Sequence, residues 1–145
     1  MADVDVSLRW ERRGLEFSAQ GSAGREFPID GNTATATSPV ETLLIALASC
    51  MAADIVDIGG KMRLSIGSLD VHATGIRNPE PPRRYLSAHL VFTVGGVPAV
   101  DAPKLERALA LSIEKYCSVM HSLRGDMEIT TELVRMDSPA GVETA

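Results

Sequence analysis

The chain has 145 residues, 45% hydrophobic and 23% charged, enough apolar material for one buried core and too short for a two-domain enzyme. Fourteen Lys and Arg against nineteen Asp and Glu give a net charge of -5 and a pI near 5.1; with one Trp, two Tyr and three Phe, this excludes the basic, stacking surface of a nucleic-acid binder. The amino terminus lacks the basic and apolar regions of a secretory signal, and no run reaches about 18 uninterrupted apolar residues. The expectation is a soluble cytoplasmic protein without a membrane partner, organised as a single domain over 1–137 with a frayed tail at 138–145.

Val4, Val6, Leu8 and Trp10 alternate with polar neighbours, as do Leu15, Phe17 and Ala19, and Phe27 and Ile29 follow the Gly21 to Gly24 turn. Period two interrupted by short turns predicts a three-stranded antiparallel meander. The pattern then becomes helical at Ser38, where Ser38, Pro39 and Glu41 supply an N-cap, a proline at the first helical position and a capping-box carboxylate. From Leu43 to Ile58 nearly every residue is apolar or small, which predicts a central, largely buried helix stopped at Gly59 and Gly60. Leu69, Val71 and Ala73, then Leu86 to Val94 across the proline-rich loop at 78–84, predict a hairpin. Asp101 caps a second predicted helix with the stripe Leu105, Ala108, Leu109, Ser112, Ile113 and Tyr116, ended by Gly125. A last strand runs through Met127, Ile129, Thr131 and Leu133. The order β-β-β-α-β-β-α-β reads as an α+β fold of hairpin-type neighbours without βαβ alternation.

Two cysteines, Cys50 and Cys117, are too few for a disulfide framework and form no Cys-x-x-Cys pair. Each sits in an apolar helical stretch, where a free Cys often serves as a small hydrophobe. Asp54 and Asp57 share the face of Cys50 at i+4 and i+7, so something polar meets that face. The two carboxylates can pair with arginines of the meander or face solvent. Carboxylates oppose thiol ionisation, so a reactive Cys50 needs a nearby cation, the candidates being Arg25, Arg12 and Arg13. Cys117 and His121 have the i, i+4 spacing of two metal ligands, but His72 and His89 fall on predicted strands and no cluster completes a ligand set; no metal is expected. Neither a phosphate-binding loop nor a Gly-x-Ser-x-Gly elbow occurs.

The run SPVETLLIALASC from Ser38 to Cys50, the following Asp54 to Ile58, and LSIEKYCSV from Leu111 to Val119 resemble the OsmC/Ohr family, osmotically inducible protein C and the organic hydroperoxide resistance proteins, and more closely its OsmC-like branch. The resemblance covers nearly the whole chain. It implies an intertwined homodimer with long central helices packed between antiparallel sheets. It also implies a thiol peroxidase needing no cofactor: Cys50 attacks an organic hydroperoxide, Cys117 resolves the sulfenic acid as a disulfide, an external dithiol restores both, and Arg25 activates the thiolate. Peroxidase members carry a Glu ten residues before the attacking Cys, where this chain has Val40. The alternative is a redox sensor or a binder of a small apolar ligand without turnover.

Overall fold

The computed structural model describes residues 3–141, and the last residues of the predicted tail, 142–145, lie outside them. Six strands and three helices follow in the order β1 (Ser7–Trp10), β2 (Glu16–Gln20), β3 (Glu26–Asp30), α1 (Pro39–Lys61), β4 (Ser68–Arg77), β5 (Tyr85–Gly95), α2 (Ala102–Leu111), α3 (Ser118–Ser122) and β6 (Glu128–Met136). They divide into two compact units, residues up to Leu43 and Leu44 onward.

The first unit is the meander β1-β2-β3, antiparallel throughout, with Phe17 opposite both Trp10 and Ile29. The first strand is shorter than its pattern: Val4 and Val6 lie before it and are exposed, because β2 ends at Gln20, which pairs with Ser7. Beyond β3, the buried Asp30 organises the loop into α1. Its carboxylate accepts the N–H groups of Asn32 (2.9 Å), Ala34 (3.0 Å) and Thr35 (3.0 Å), and these bonds, that of Asn32 foremost, hold its pKa below the ordinary 3.8. The helix then starts as its residues dictate. Ser38 N–H donates to Glu41 Oε1 at 3.0 Å and Glu41 N–H to Ser38 Oγ at 3.2 Å, a reciprocal capping box.

In the second unit α1 continues, burying the row Leu47, Met51, Ile55 and Gly59 at intervals of one turn. This row meets Ala88, Leu90, Phe92 and Val94 of β5 and Leu105 and Leu109 of α2 in one core. Each fully buried large side chain there contributes roughly 1.5–3 kcal/mol. The expectation of a largely buried helix holds for this stripe alone: within the chain, Ile45 and Val56 stay 56% and 53% exposed. The predicted stop also shifts. Helix α1 runs through Gly59 and Gly60 to Lys61, and Arg63 takes the left-handed conformation (φ 64°). Arg63 N–H bonds Gly60 O at 3.0 Å and Leu64 N–H bonds Gly59 O at 2.9 Å, a Schellman closure with Arg63 where glycine is usual. Gly59 is needed inside the helix instead, since a Cβ there would lie 3.2 Å from Ile66 and 3.3 Å from Leu64.

The second sheet, β4-β5-β6, differs from the antiparallel expectation. Strands β4 and β5 form the predicted antiparallel hairpin, but β6 pairs with β5 in parallel, Ala88 beside Ile129 and Phe92 beside Leu133. The helical segment between β5 and β6 carries the chain back along the sheet, so β5-α2-β6 is a βαβ crossover after all. After β6 the chain turns onto the sheet end, where Ala140 N–H donates to Ser68 Oγ at 2.8 Å and a Cβ on Gly67 would come within 2.6 Å of Pro139.

Candidate active site

The predicted second helix is not continuous, and its break makes the site. Helix α2 begins after a 3₁₀ turn at Ala99–Asp101, and the Asp101 side chain makes no cap bond; it faces Lys104 at 3.8 Å instead. At Ser112 the helix widens into a π turn through Tyr116, and Cys117 leaves helical geometry altogether (φ -70°, ψ 98°). Cys117 is thereby the N-cap of α3, its sulfur accepting the Met120 N–H at 3.4 Å. π turns of this kind recur at functional sites because they re-aim one residue out of the helical register.

The re-aimed residue meets Cys50. Both thiols are reduced, Cys50 half-buried on α1 and Cys117 fully buried, and the two side chains are neighbours in the same core. Desolvation pushes the Cys117 thiol up to about 11, against the opposing pull of the Met120 N–H. The neighbouring Cys50 raises it further, and the negative charge of Asp54 adds the smallest push in the same direction.

Asp54, one turn beyond Cys50, is half-buried and bonds a hydroxyl of the following helical segment. Its Oδ2 accepts the hydroxyl of the fully buried Ser112 at 2.8 Å, while the Ser112 carbonyl accepts the Cys117 N–H at 2.8 Å. Asp57 pairs with Lys61 at 3.1 Å. Beside them opens a cleft of about 300 Å³ lined by Asp54, Asp57, Ile58, Lys61, Leu111 and Tyr116. The structure thus joins Cys50, Cys117 and Asp54. Arg25 and Arg12 belong to the first unit, where both are exposed in turns, and Arg13 is held by Glu16 at 3.2 Å. His121 donates from Nε2–H to Ile113 O (3.0 Å), and among the described residues no three His, Cys, Asp or Glu side chains gather as metal ligands. Ser112 is what sequence reasoning left unassigned. A hydroxyl inside an apolar stripe was the only trace of its bond to Asp54, 58 positions away.

The model of the OsmC family, described as OsmC-like protein, matches residues 31–132. This chain belongs to the OsmC-like family. Protein YhfA of Escherichia coli strain K12 is 38% identical over 128 residues, covering 88% of this chain and 94% of the relative. The solved OsmC-like protein of Mycoplasma pneumoniae superposes with a TM-score of 0.78 at 17% identity, covering 93% and 98% of the two chains. An organic hydroperoxide resistance protein OsmC from Legionella pneumophila does so with a TM-score of 0.65 at 15% identity, covering 92% and 98%. The α+β expectation and the family resemblance therefore both hold, with the parallel β6 strand as the correction to the sheet.

Proposed function

We propose that this OsmC-like protein is a thiol-dependent peroxidase that reduces organic hydroperoxides. The observation that carries the reading is the neighbouring pair of Cys50 and Cys117, from positions 67 residues apart in a chain with only two cysteines. The Cys50 thiolate attacks the terminal oxygen of R–O–O–H, the O–O bond breaks, the alkoxide leaves as alcohol after taking a proton, and Cys50 becomes a sulfenic acid. Cys117 then attacks the Cys50 sulfur. An S–S bond forms, and the sulfenic hydroxyl leaves as water with the Cys117 proton. An external dithiol returns both thiols by two exchanges. Ile58, Leu111 and Tyr116 give the cleft beside Asp54 an apolar side suited to the organic group.

The reading includes a cytoplasmic homodimer, supported by the apolar side chains Ile45 and Val56 that α1 leaves exposed on one face. By family resemblance it assigns activation of the Cys50 thiolate to Arg25. Peptide mapping after one equivalent of cumene hydroperoxide should find Cys50 linked to Cys117 within one chain, with peroxide consumption under a dithiol. Both thiols still reduced after exposure would overturn it. Sedimentation should give about twice 15.5 kDa.

A second reading, a redox sensor or apolar-ligand binder without turnover, is favoured by one observation. The carboxylate nearest Val40 in sequence, that of Glu41, is engaged by the Ser38 N–H and cannot stand in for the glutamate that peroxidase members carry at that position.

A further inference from the structure

The Asp54 to Ser112 hydrogen bond is the polar link that fixes the thiol pair, and it serves no part of the chemistry above. Two hydrogen bonds and a contact run in series. Asp54, one turn from Cys50 on the same face of α1, accepts from the Ser112 hydroxyl at 2.8 Å; the Ser112 carbonyl accepts the Cys117 N–H at 2.8 Å; the Cys117 sulfur meets Cys50. Ser112 is also the first residue of the π turn that sets Cys117 out of register. A fully buried hydroxyl bonded to a carboxylate is costly to leave unpaired, so the link holds the turn in one geometry.

The same carboxylate places a negative charge beside a buried sulfur. From α1, Cys117 meets Cys50 and Asp54. On its own segment the charged or titratable Glu114, Lys115 and His121 are exposed, and the core that encloses it from β5 and α2 contributes Leu90, Phe92, Leu105 and Leu109, none titratable. Asp54 is thus the carboxylate whose charge reaches Cys117 within this unit, a smaller effect than burial but one whose sign also favours the neutral thiol.

We propose that Asp54, held by Ser112, is a positioning residue that sets the polarity of the thiol pair: it keeps Cys117 aimed at Cys50 and a negative charge beside its sulfur until Cys50 has reacted. The inference rests on reading Cys50 as the attacking and Cys117 as the resolving thiol, but its test needs no peroxide. Dithiobis(nitrobenzoate) converts the half-exposed Cys50 to a mixed disulfide in a first burst of thionitrobenzoate. Attack by Cys117 on the Cys50 sulfur then forms the S–S bond, expels a second thionitrobenzoate and releases the Cys117 proton.

The two substitutions pull in opposite directions. Asp54→Asn keeps an acceptor for Ser112 and removes the charge, so the pH midpoint of the second phase should fall by about half a unit to one unit and its rate at pH 7.5 rise about three- to tenfold. Ser112→Ala keeps the charge and removes the tether, so the second phase should slow about three- to tenfold while the first burst is unchanged. A merely structural role would slow both variants. Slowing in both, or an Asp54→Asn variant with the wild-type rate and pH profile, would overturn the proposal, circular dichroism having shown both variants folded. Opposite shifts in a protein that consumes no hydroperoxide would uphold it while removing the peroxidase reading.

Discussion

The two compact units meet one kind of strand pattern with opposite results. In β5, Ala88, Leu90, Phe92 and Val94 share a face and are all buried under α1 and α2. In β1, Leu8 and Trp10 alternate just as cleanly and both are exposed, and so is Phe27 on β3. Alternation says which residues share a face; it does not say whether anything covers that face. Within its own unit the meander has only a loop and the first turn of α1 to set against it, so the unit rests on the strand ladders and on the hydrogen bonds Asp30 makes to the loop, whereas the second unit rests on packing. A second copy of the chain, as proposed above, is the natural cover for the exposed aromatics.

The largest expected effect follows from the packed side of the comparison. Phe92→Ala should destabilise the second unit by about 3–5 kcal/mol, the usual range for truncating a fully buried aromatic, seen as a lower urea midpoint. Phe27→Ala, on a half-exposed strand, should lose a small fraction of that in dilute protein and more as concentration rises. Equal losses at every concentration would mean that the two sheets are covered in the same way.

The hydrogen-bonded side should break with acid. Asp30 has a folded pKa below its ordinary 3.8, so it adds stability that is complete above 3.8 and is lost as pH falls from 3.8 through the folded value. Amide exchange at Asn32, Ala34 and Thr35 should therefore accelerate below about pH 3.8 while the amides of β5 remain protected. Asp30→Asn should expose the same three amides at neutral pH. Its neutral side chain is a weaker acceptor and can serve fewer of these donors.

What could be read beforehand divides along the same line as these effects. The start of α1 was legible because Ser38, Pro39 and Glu41 act within four residues, and the meander and the β4-β5 hairpin because their partners adjoin in sequence. The direction of β6 was hidden. Its period of two is the same whether it pairs parallel or antiparallel, and only the path of the segment from α2 to α3 decides. Gly59 reads as a stop because its close approach to Leu64 and Ile66 leaves the same residue type as a left-handed cap, the position Arg63 occupies. At the site, both cysteines were legible as residues, but the break at Cys117 and the Asp54 to Ser112 bond depend on contacts over tens of residues that no local spacing records.

The smallest expected effect on stability tests the proposed role of the meander in the chemistry. Arg25 is exposed beside Gly24, whose φ of 81° makes the turn, so Arg25→Ala should change unfolding by no more than about 0.5 kcal/mol. If Arg25 is the activating cation, the same substitution should raise the pH at which iodoacetamide alkylates Cys50, because a guanidinium stays charged when desolvated and favours the thiolate. Each unit of that shift is about 1.4 kcal/mol of lost thiolate stabilisation, so a residue nearly silent in unfolding would be prominent in reactivity. Arg12→Ala and Arg13→Ala serve as controls within the same unit. A Cys50 that alkylates only near the ordinary thiol range of about 8.5, unmoved by any of the three, would place its activation outside the meander and shift the balance to the sensor or binder reading.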